Sequence, residues 1–266
     1  MGDIWTHPQA DRRAQATSIE AGEVWSVMGP PDALLTTWLQ GWMSAHRADG
    51  YSARVWWASD PGPSRRTTPH SLIAQAAGRP RLARIADALG ATGLADLRSR
   101  PLAELTLSGR LRAAVAAALA AEADLLVLDG VLDGLDPWHE PAVTRALAAR
   151  AADGTALIIG TGRCDIAEQW DRLMVLRRGE IAYQGSAARL RDRQARVTIE
   201  TDDPAGVQAL LPALELTVTE TGRGLEFAPG EADPAVLALM RQGWGRVRAW
   251  VVYRPSLAEV LASDGW

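Results

Sequence analysis

The residues of this chain that could do chemistry lie in three short runs. Leu105 to Val115 (LTLSGRLRAAV) opens a helix on a hydroxyl and a glycine, Ser108 and Gly109. Ala123 to Pro137 (ADLLVLDGVLDGLDP) carries an apolar strand out to Asp129 and then to a second carboxylate, Asp136, just before a proline. Gly29 to Thr37 (GPPDALLTT) joins a strand to a helix. A hydroxyl and a glycine at a helix start suit either a bound anion or the helix's own first amides. Carboxylates at a strand end and before a proline suit turns as readily as ligands. What is missing narrows the field. All 28 basic residues are arginines, which excludes a Schiff-base lysine, a lysine general base and a lysine reaching a phosphate. The four histidines have no metal-ligand spacing, and the single cysteine, Cys164, forms no internal disulfide and suits a reducing compartment. With no asparagine there is no N-glycosylation acceptor.

The elements that must hold these residues follow from the hydrophobic pattern. A strand at Glu23 to Met28, a helix at Ala33 to Met43 and a Val/Trp-rich strand at Arg54 to Ala58 come first. Helices at Ser71 to Ala77, Arg81 to Leu89 and Leu107 to Ala120 form a lobe over about 61–122. Strands at Asp124 to Asp129 and Thr155 to Ile159 are continuously apolar, as in the middle of a parallel sheet. Between and after them come helices at Glu140 to Ala151 and Asp165 to Trp170, then a hairpin, Leu173 to Leu176 and Ile181 to Tyr183, turning at Arg178-Gly179. Past residue 192 the order changes: strand Arg196 to Glu200, helix Pro204 to Leu211, strands Glu215 to Thr219 and Gly224 to Ala228, helix Pro234 to Gln242, strand Arg246 to Tyr253 and a closing helix from Ser256. That is the βαββαβ ferredoxin-like pattern. The reading is an α/β core, 1–192, with an inserted helical lobe, and a small α+β domain, 193–266. With 47% hydrophobic and 23% charged residues and a net charge of −4, the chain is a globular protein with no nucleic-acid surface. Neither a signal peptide nor a spanning segment is expected.

In their order and spacing the two long runs resemble the ATP-binding subunits of ABC transporters, whose signature helix begins LSGGQ and whose Walker B strand continues into a D-loop as hhhhDEPTSGLDP. Gly22 to Pro30 resembles the strand leading into that family's P-loop, and Asp171 to Ile181 its closing hairpin. Arg254-Pro-Ser-Leu-Ala-Glu-Val260 resembles the end of the extra domain of ABC-2 type exporters of the drug-resistance-like group. The resemblance implies a P-loop ABC ATPase-like core, ATP with Mg²⁺, and service to a membrane permease.

The departures carry the functional expectation. In the register of the motif GxxxxGK[ST], Gly29 is kept, Leu34 replaces the last glycine, Leu35 the lysine, and Thr36 and Thr37 follow. Pro31 removes an amide donor, and Asp32 brings a negative charge where triphosphate would lie. At about 4 Å and an effective dielectric near 20, such a repulsion is roughly 4 kcal/mol. Ser59 stands near the Q-loop glutamine's place and Gly130 at the catalytic glutamate, although Asp129 keeps the Walker B aspartate. Thr161 and Gly162 fall where a switch histidine is due. These positions serve the chain's own nucleotide. Ser108, Gly109 and Asp136, which in this family serve the nucleotide of a facing partner, remain. Arg110 replaces the second signature glycine, and either crowds that nucleotide or adds a cation toward it.

The expectation is a catalytically degenerate subunit that completes, in trans, the ATP and Mg²⁺ site of an active, lysine-bearing paralogue. Its own site is empty or weak. The pair would drive an ABC-2 type permease, an exporter, from the inner face of the membrane, with the loop Ser59 to Thr68 and the helical lobe as the docking region. The alternative is an ABC-derived regulator or scaffold without nucleotide. An ATPase using arginine for lysine is disfavoured, because no arginine lies between Gly22 and Trp42. Trp5 falls where the family keeps an adenine-stacking aromatic, and packing is the commoner role for such a residue. The other tryptophans read as core, Cys164 as an inert thiol and the histidines as surface residues.

Overall fold

The computed structural model describes residues 5–6, 18–29, 35–48, 54–78, 82–209, 219–221, 224–227 and 244–263. Residues 30–34, including Leu34, the helix expected at Pro234 to Gln242 and most of the strand expected at Glu215 to Thr219 lie outside them.

The chain divides into two compact units, Met1–Gly185 and Ser186–Trp266. The first is built from β1 (Trp5–Thr6), β2 (Ser18–Ile19), β3 (Val24–Met28), α1 (Leu35–Ala48), β4 (Val55–Ala58), α2 (Pro69–Ala76), α3 (Leu82–Ala91), α4 (Leu107–Ala120), β5 (Leu125–Asp129), α5 (Glu140–Ala152), β6 (Ala156–Thr161), α6 (Cys164–Ala167), β7 (Arg172–Arg177) and β8 (Glu180–Gly185). Six strands form one sheet in the order β4-β5-β6-β3-β7-β8, parallel except for the last pair. Its central strands show why an apolar run without alternation was required. Leu126 and Leu128 of β5 pack into one core with Leu157 and Ile159 of β6. The intervening Leu125, Val127, Ala156 and Ile158 fill a second core on the opposite face. The alanines of α4 are almost entirely buried, so small side chains let the signature helix lie close to its neighbours. The hairpin turns on Arg178 (φ 52°) and Gly179 (φ 81°), the left-handed pair of a type I′ turn.

The second unit holds α7 (Ala187–Asp192), β9 (Arg196–Glu200), α8 (Pro204–Gln208), β10 (Thr219–Thr221), β11 (Gly224–Phe227), β12 (Ala249–Tyr253) and α9 (Leu257–Ala262). Its strands are antiparallel in the order β10-β11-β9-β12. In chain order that is 2-3-1-4, the strand order of a ferredoxin-like sheet. The division falls after Gly185, so α7 belongs here and not to the end of the core as the 193 boundary had it. Gln194 also hydrogen-bonds Ser263 within this unit (3.2 Å). Three elements are shorter than expected. The helix read as Pro204 to Leu211 is Pro204–Gln208, capped at Ala209. The helix read as Asp165 to Trp170 is Cys164–Ala167, and the last strand starts only at Ala249, after a 3₁₀ turn at Trp244–Arg246.

Candidate functional site

The signature run is organised by Thr106. Its hydroxyl caps α4 by accepting the Gly109 N–H (3.2 Å), so Ser108 is not the cap and its side chain is free for other work. The same bond takes the Gly109 amide that the sequence reading had offered to a phosphate. The amides of Leu107 and Ser108, in the first turn, have no carbonyl to bond within the helix.

Ser108 turns to the loop after β5. Its hydroxyl donates to Asp136 Oδ2 (2.5 Å) and accepts the Asp136 N–H (3.1 Å). The other oxygen of Asp136 lies 2.6 Å from His139 Nδ1 and accepts the His139 N–H (3.1 Å). Burial pushes the Asp136 carboxyl up, but the bonds from Ser108 and His139 and the His139 charge outweigh it and lower it to about 2. Gly134 makes this junction possible, since a Cβ there would lie 2.6 Å from Leu111 Cδ1. Behind it Arg112, 6% exposed, donates to the carbonyls of Thr92 and Gly93 (3.0 Å each) and sits in the field of Asp136. On the outside, Trp138 is 89% and Leu107 49% exposed. The signature and the D-loop therefore meet in one polar junction flanked by apolar side chains that face solvent.

Arg110, whose role the sequence left open, turns away toward the end of β4. Its Nε and Nη2 each bond one oxygen of Asp60 at 3.1 Å, a two-pronged pair across the helical lobe and the sheet. Those bonds raise Arg110 and hold Asp60 below the usual carboxylate range. Neighbouring Ser59 is exposed.

The positions expected to serve a nucleotide of the chain's own look different. Leu35, first residue of α1, packs against the apolar core that holds Trp25, Val27 and Leu39. Thr36 hydrogen-bonds Asp129, which burial nevertheless pushes up. This hydroxyl and carboxylate would fit a magnesium ion, but Leu35 offers a phosphate nothing. Thr37 is exposed, and Gly29, just after β3, is half-buried. Gly130 takes φ +66° with no side chain and donates its N–H to the Gly160 carbonyl (2.9 Å). Where a switch histidine is due, Thr161 donates its hydroxyl to Asp133 and Gly162 its N–H to the same carboxylate (2.8 Å). Arg163 next to them pairs with Glu140 (3.1 Å) and Asp165 (2.5 Å).

Sequence reasoning missed Asp133, Asp60, His139 and Arg112. Their partners stand far off in the chain or were not weighed, and only Thr106, three residues before Gly109, left a readable local signal. Cys164 is half-buried, and burial, with Glu168 and Asp165 nearby, pushes its thiol up, as suits an unreactive cysteine. Among the described residues no three His, Cys, Asp or Glu side chains gather as a metal site, and no helix is long and apolar enough to cross a membrane.

A six-stranded, mainly parallel sheet with a helical lobe between β4 and β5, and a signature helix abutting a D-loop, is the fold of the ATP-binding cassette ATPases. The chain aligns at TM-score 0.56 with a dimeric ATP-binding cassette in a post-hydrolysis state bound to ADP and phosphate, at 15% identity over 69% of this chain and 97% of that one. No family model matches. The chain is similar to an energy-coupling factor transporter ATP-binding protein of Carboxydothermus hydrogenoformans, 37% identical over 114 residues, 42% of each protein. It is also similar to a daunorubicin resistance ATP-binding protein of Streptomyces coeruleorubidus, 29% identical over 178 residues, 63% of this chain and 56% of that protein. The chain thus spans about half the length of the curated relatives it matches.

Proposed function

We propose that this chain is an ATP-binding-type subunit of a membrane transporter that has lost its own catalytic site and completes that of an active paralogue. One observation carries the reading. Ser108 and Asp136 are kept and remain partly exposed beside Gly134, while the positions that would work on the chain's own nucleotide hold Leu35, Gly130 and Gly162. On this reading the Ser108 hydroxyl leaves Asp136 and donates to a phosphate oxygen held by the partner. The dipole of α4 and its first amides add to that attraction. Asp136, kept ionised, stays with His139 and fixes the loop. ATP and Mg²⁺ are held by the partner.

The two relatives are named for an energy-coupling factor transporter and for drug resistance. The second, with the ferredoxin-like unit and the run Arg254 to Val260, favours an ABC-2 type permease working as an exporter. The chain would then sit on the inner face of the membrane as a peripheral subunit. The scaffold reading has one observation in its favour, because Ser108 and Arg110 are both satisfied within the chain.

The test is capture of the tagged chain from its native membranes in mild detergent, followed by Ser108→Ala in the recovered complex. Co-recovery of a lysine-bearing cassette and a polytopic membrane protein, with ATP hydrolysis lowered about tenfold or more by the substitution, is expected. Full hydrolysis with Ser108→Ala would leave the scaffold. Recovery of neither partner would end the transporter reading.

A further inference from the structure

Among the described residues six large apolar side chains are exposed, and three of them are consecutive: Val251 (45%), Val252 (45%) and Tyr253 (49%), at the end of β12. β12 is an edge strand. It pairs with β9 on one side, and no described strand lies along the other. The opposite edge of the same sheet is β10, three residues long with Glu220 at its centre, the short, charged kind of edge that resists pairing. β12 has neither safeguard, since Ala249 to Tyr253 (AWVVY) runs for five residues without a charge.

The faces on which these side chains stand decide what would cover them. Trp250 and Val252 lie opposite Ile199 and Val197 of β9, on the face that carries the buried Leu225 and Phe227. Val251 and Tyr253 stand on the other face. Both faces are therefore bare at the same place. A helix or a membrane laid on one face would cover only part of this run. A further strand beside β12 borders both faces and takes up the backbone N–H and C=O groups of the edge. The sequence of β12 itself fits that place. In a two-fold antiparallel pair centred on Val251, Val251 meets its own copy, Trp250 meets Val252 and Ala249 meets Tyr253, each pair on one face. Arg248 and Arg254, at the two ends, would lie opposite each other, but each has its own carboxylate, Asp202 and Asp192. Tyr253 is already held by the bond from its hydroxyl to Glu259 (3.0 Å). We infer that β12 pairs with β12 of a second copy of this chain, joining two four-stranded sheets into one of eight strands. The contact belongs to the second unit and needs neither ATP nor the paralogue, whose contact is the Ser108 face of the first unit.

Sedimentation of the purified full-length chain over a concentration series tests it. Five residues a side make a small interface, so half of the chain should be dimeric at roughly 10–100 µM. Amide hydrogen exchange should slow across Ala249 to Tyr253 as the dimer forms, and not along β10. Val251→Lys sets two like charges opposite each other and should weaken the dimer about tenfold or more. Val251→Glu should do the same, and an equimolar mixture of the two variants should associate again. The control Leu82→Lys, which removes an exposed apolar residue from the first unit, keeps the dimer. Circular dichroism unchanged from the parent shows that the variants are folded. A chain that stays monomeric throughout, a dimer that Val251→Lys leaves intact, or a mixture that stays monomeric would overturn the inference. So would a chain that is monomeric by itself and captures the paralogue only with Val251 in place, which would give the edge to the other subunit.

Discussion

Replacing Asp136 by asparagine keeps the shape of the side chain and removes its charge, imitating the protonated acid. The carboxyl titrates at about 2 in the folded chain, against about 3.9 for an unfolded aspartate. Because the native value is the lower one, ionisation stabilises the fold. That stability is complete above about pH 5 and is lost as the pH falls toward 2. The gap of about two units corresponds to roughly 2.6 kcal/mol. The side chain is 31% exposed, and solvent screening reduces the figure to about 1–1.5 kcal/mol. Asp136→Asn should therefore lower the melting temperature by about 3–5 °C at pH 7. Thermal unfolding followed by circular dichroism at pH 7 and pH 3 makes the comparison. At pH 3 the unfolded aspartate is already largely protonated, so the gap between parent and variant should shrink by about half. An unchanged gap at pH 3 would show that the charge is not what holds the D-loop against the signature helix.

Further outcomes follow from other contacts. In a double-mutant cycle, Arg110→Ala and Asp60→Ala should show a coupling of about 0.5–1 kcal/mol, modest because Asp60 is partly solvated; strictly additive losses would dissolve the pair. Gly224, at φ +138°, has room for no Cβ, since one would lie 2.0 Å from the Ile199 carbonyl oxygen. Gly224→Ala should destabilise the second unit by about 3 kcal/mol in chemical denaturation, and a neutral result would mean that the strand edge shifts freely. Leu35→Lys should not give the isolated chain measurable binding of a fluorescent ATP analogue, and should lower its stability by about 2 kcal/mol through burial of a charge. Micromolar binding by that variant would show that the lysine alone was missing.

The parts of the fold written in short-range pattern were legible. Continuous apolar runs marked β5 and β6 because both faces of those strands are covered, and the Ala/Leu run marked α4 from Leu107 to Ala120, although its cap, Thr106, was passed over for Ser108 and Gly109. The Arg178-Gly179 turn was legible for the same local reason. What escaped were pairings made only when the chain closes. Arg110 meets Asp60 fifty residues away, and Asp133 reaches Thr161 across the end of β5. No periodicity encodes either. His139 was read as a plain surface residue, and its side chain is 37% exposed. Its bond to Asp136 depends on the exact path of the loop between them. The helix after Arg163 ends at Ala167, and Trp170, read as its last residue, lies beyond it and still packs partly buried against the core.

Four of the positions that depart from the motifs, Leu35, Arg110, Gly130 and Gly162, share a property that bears on the proposed function. Each has acquired a place in the structure. Leu35 packs, partly buried, against a core, Gly130 supplies a turn with φ +66°, and the Gly162 amide closes on Asp133. Arg110 braces the helical lobe against the end of β4. A site that had merely lost one residue would be open to repair by one substitution. Here a lysine at 35 meets apolar neighbours, and a side chain at 130 must adopt a backbone angle that favours glycine. On the proposed reading the described own-nucleotide positions are tied into the structure, whereas at the Ser108–Asp136 face a hydroxyl needs to exchange just one hydrogen bond to meet a phosphate. That difference in the cost of rearrangement is the physical reason to look for this chain's activity in a complex rather than in the chain alone.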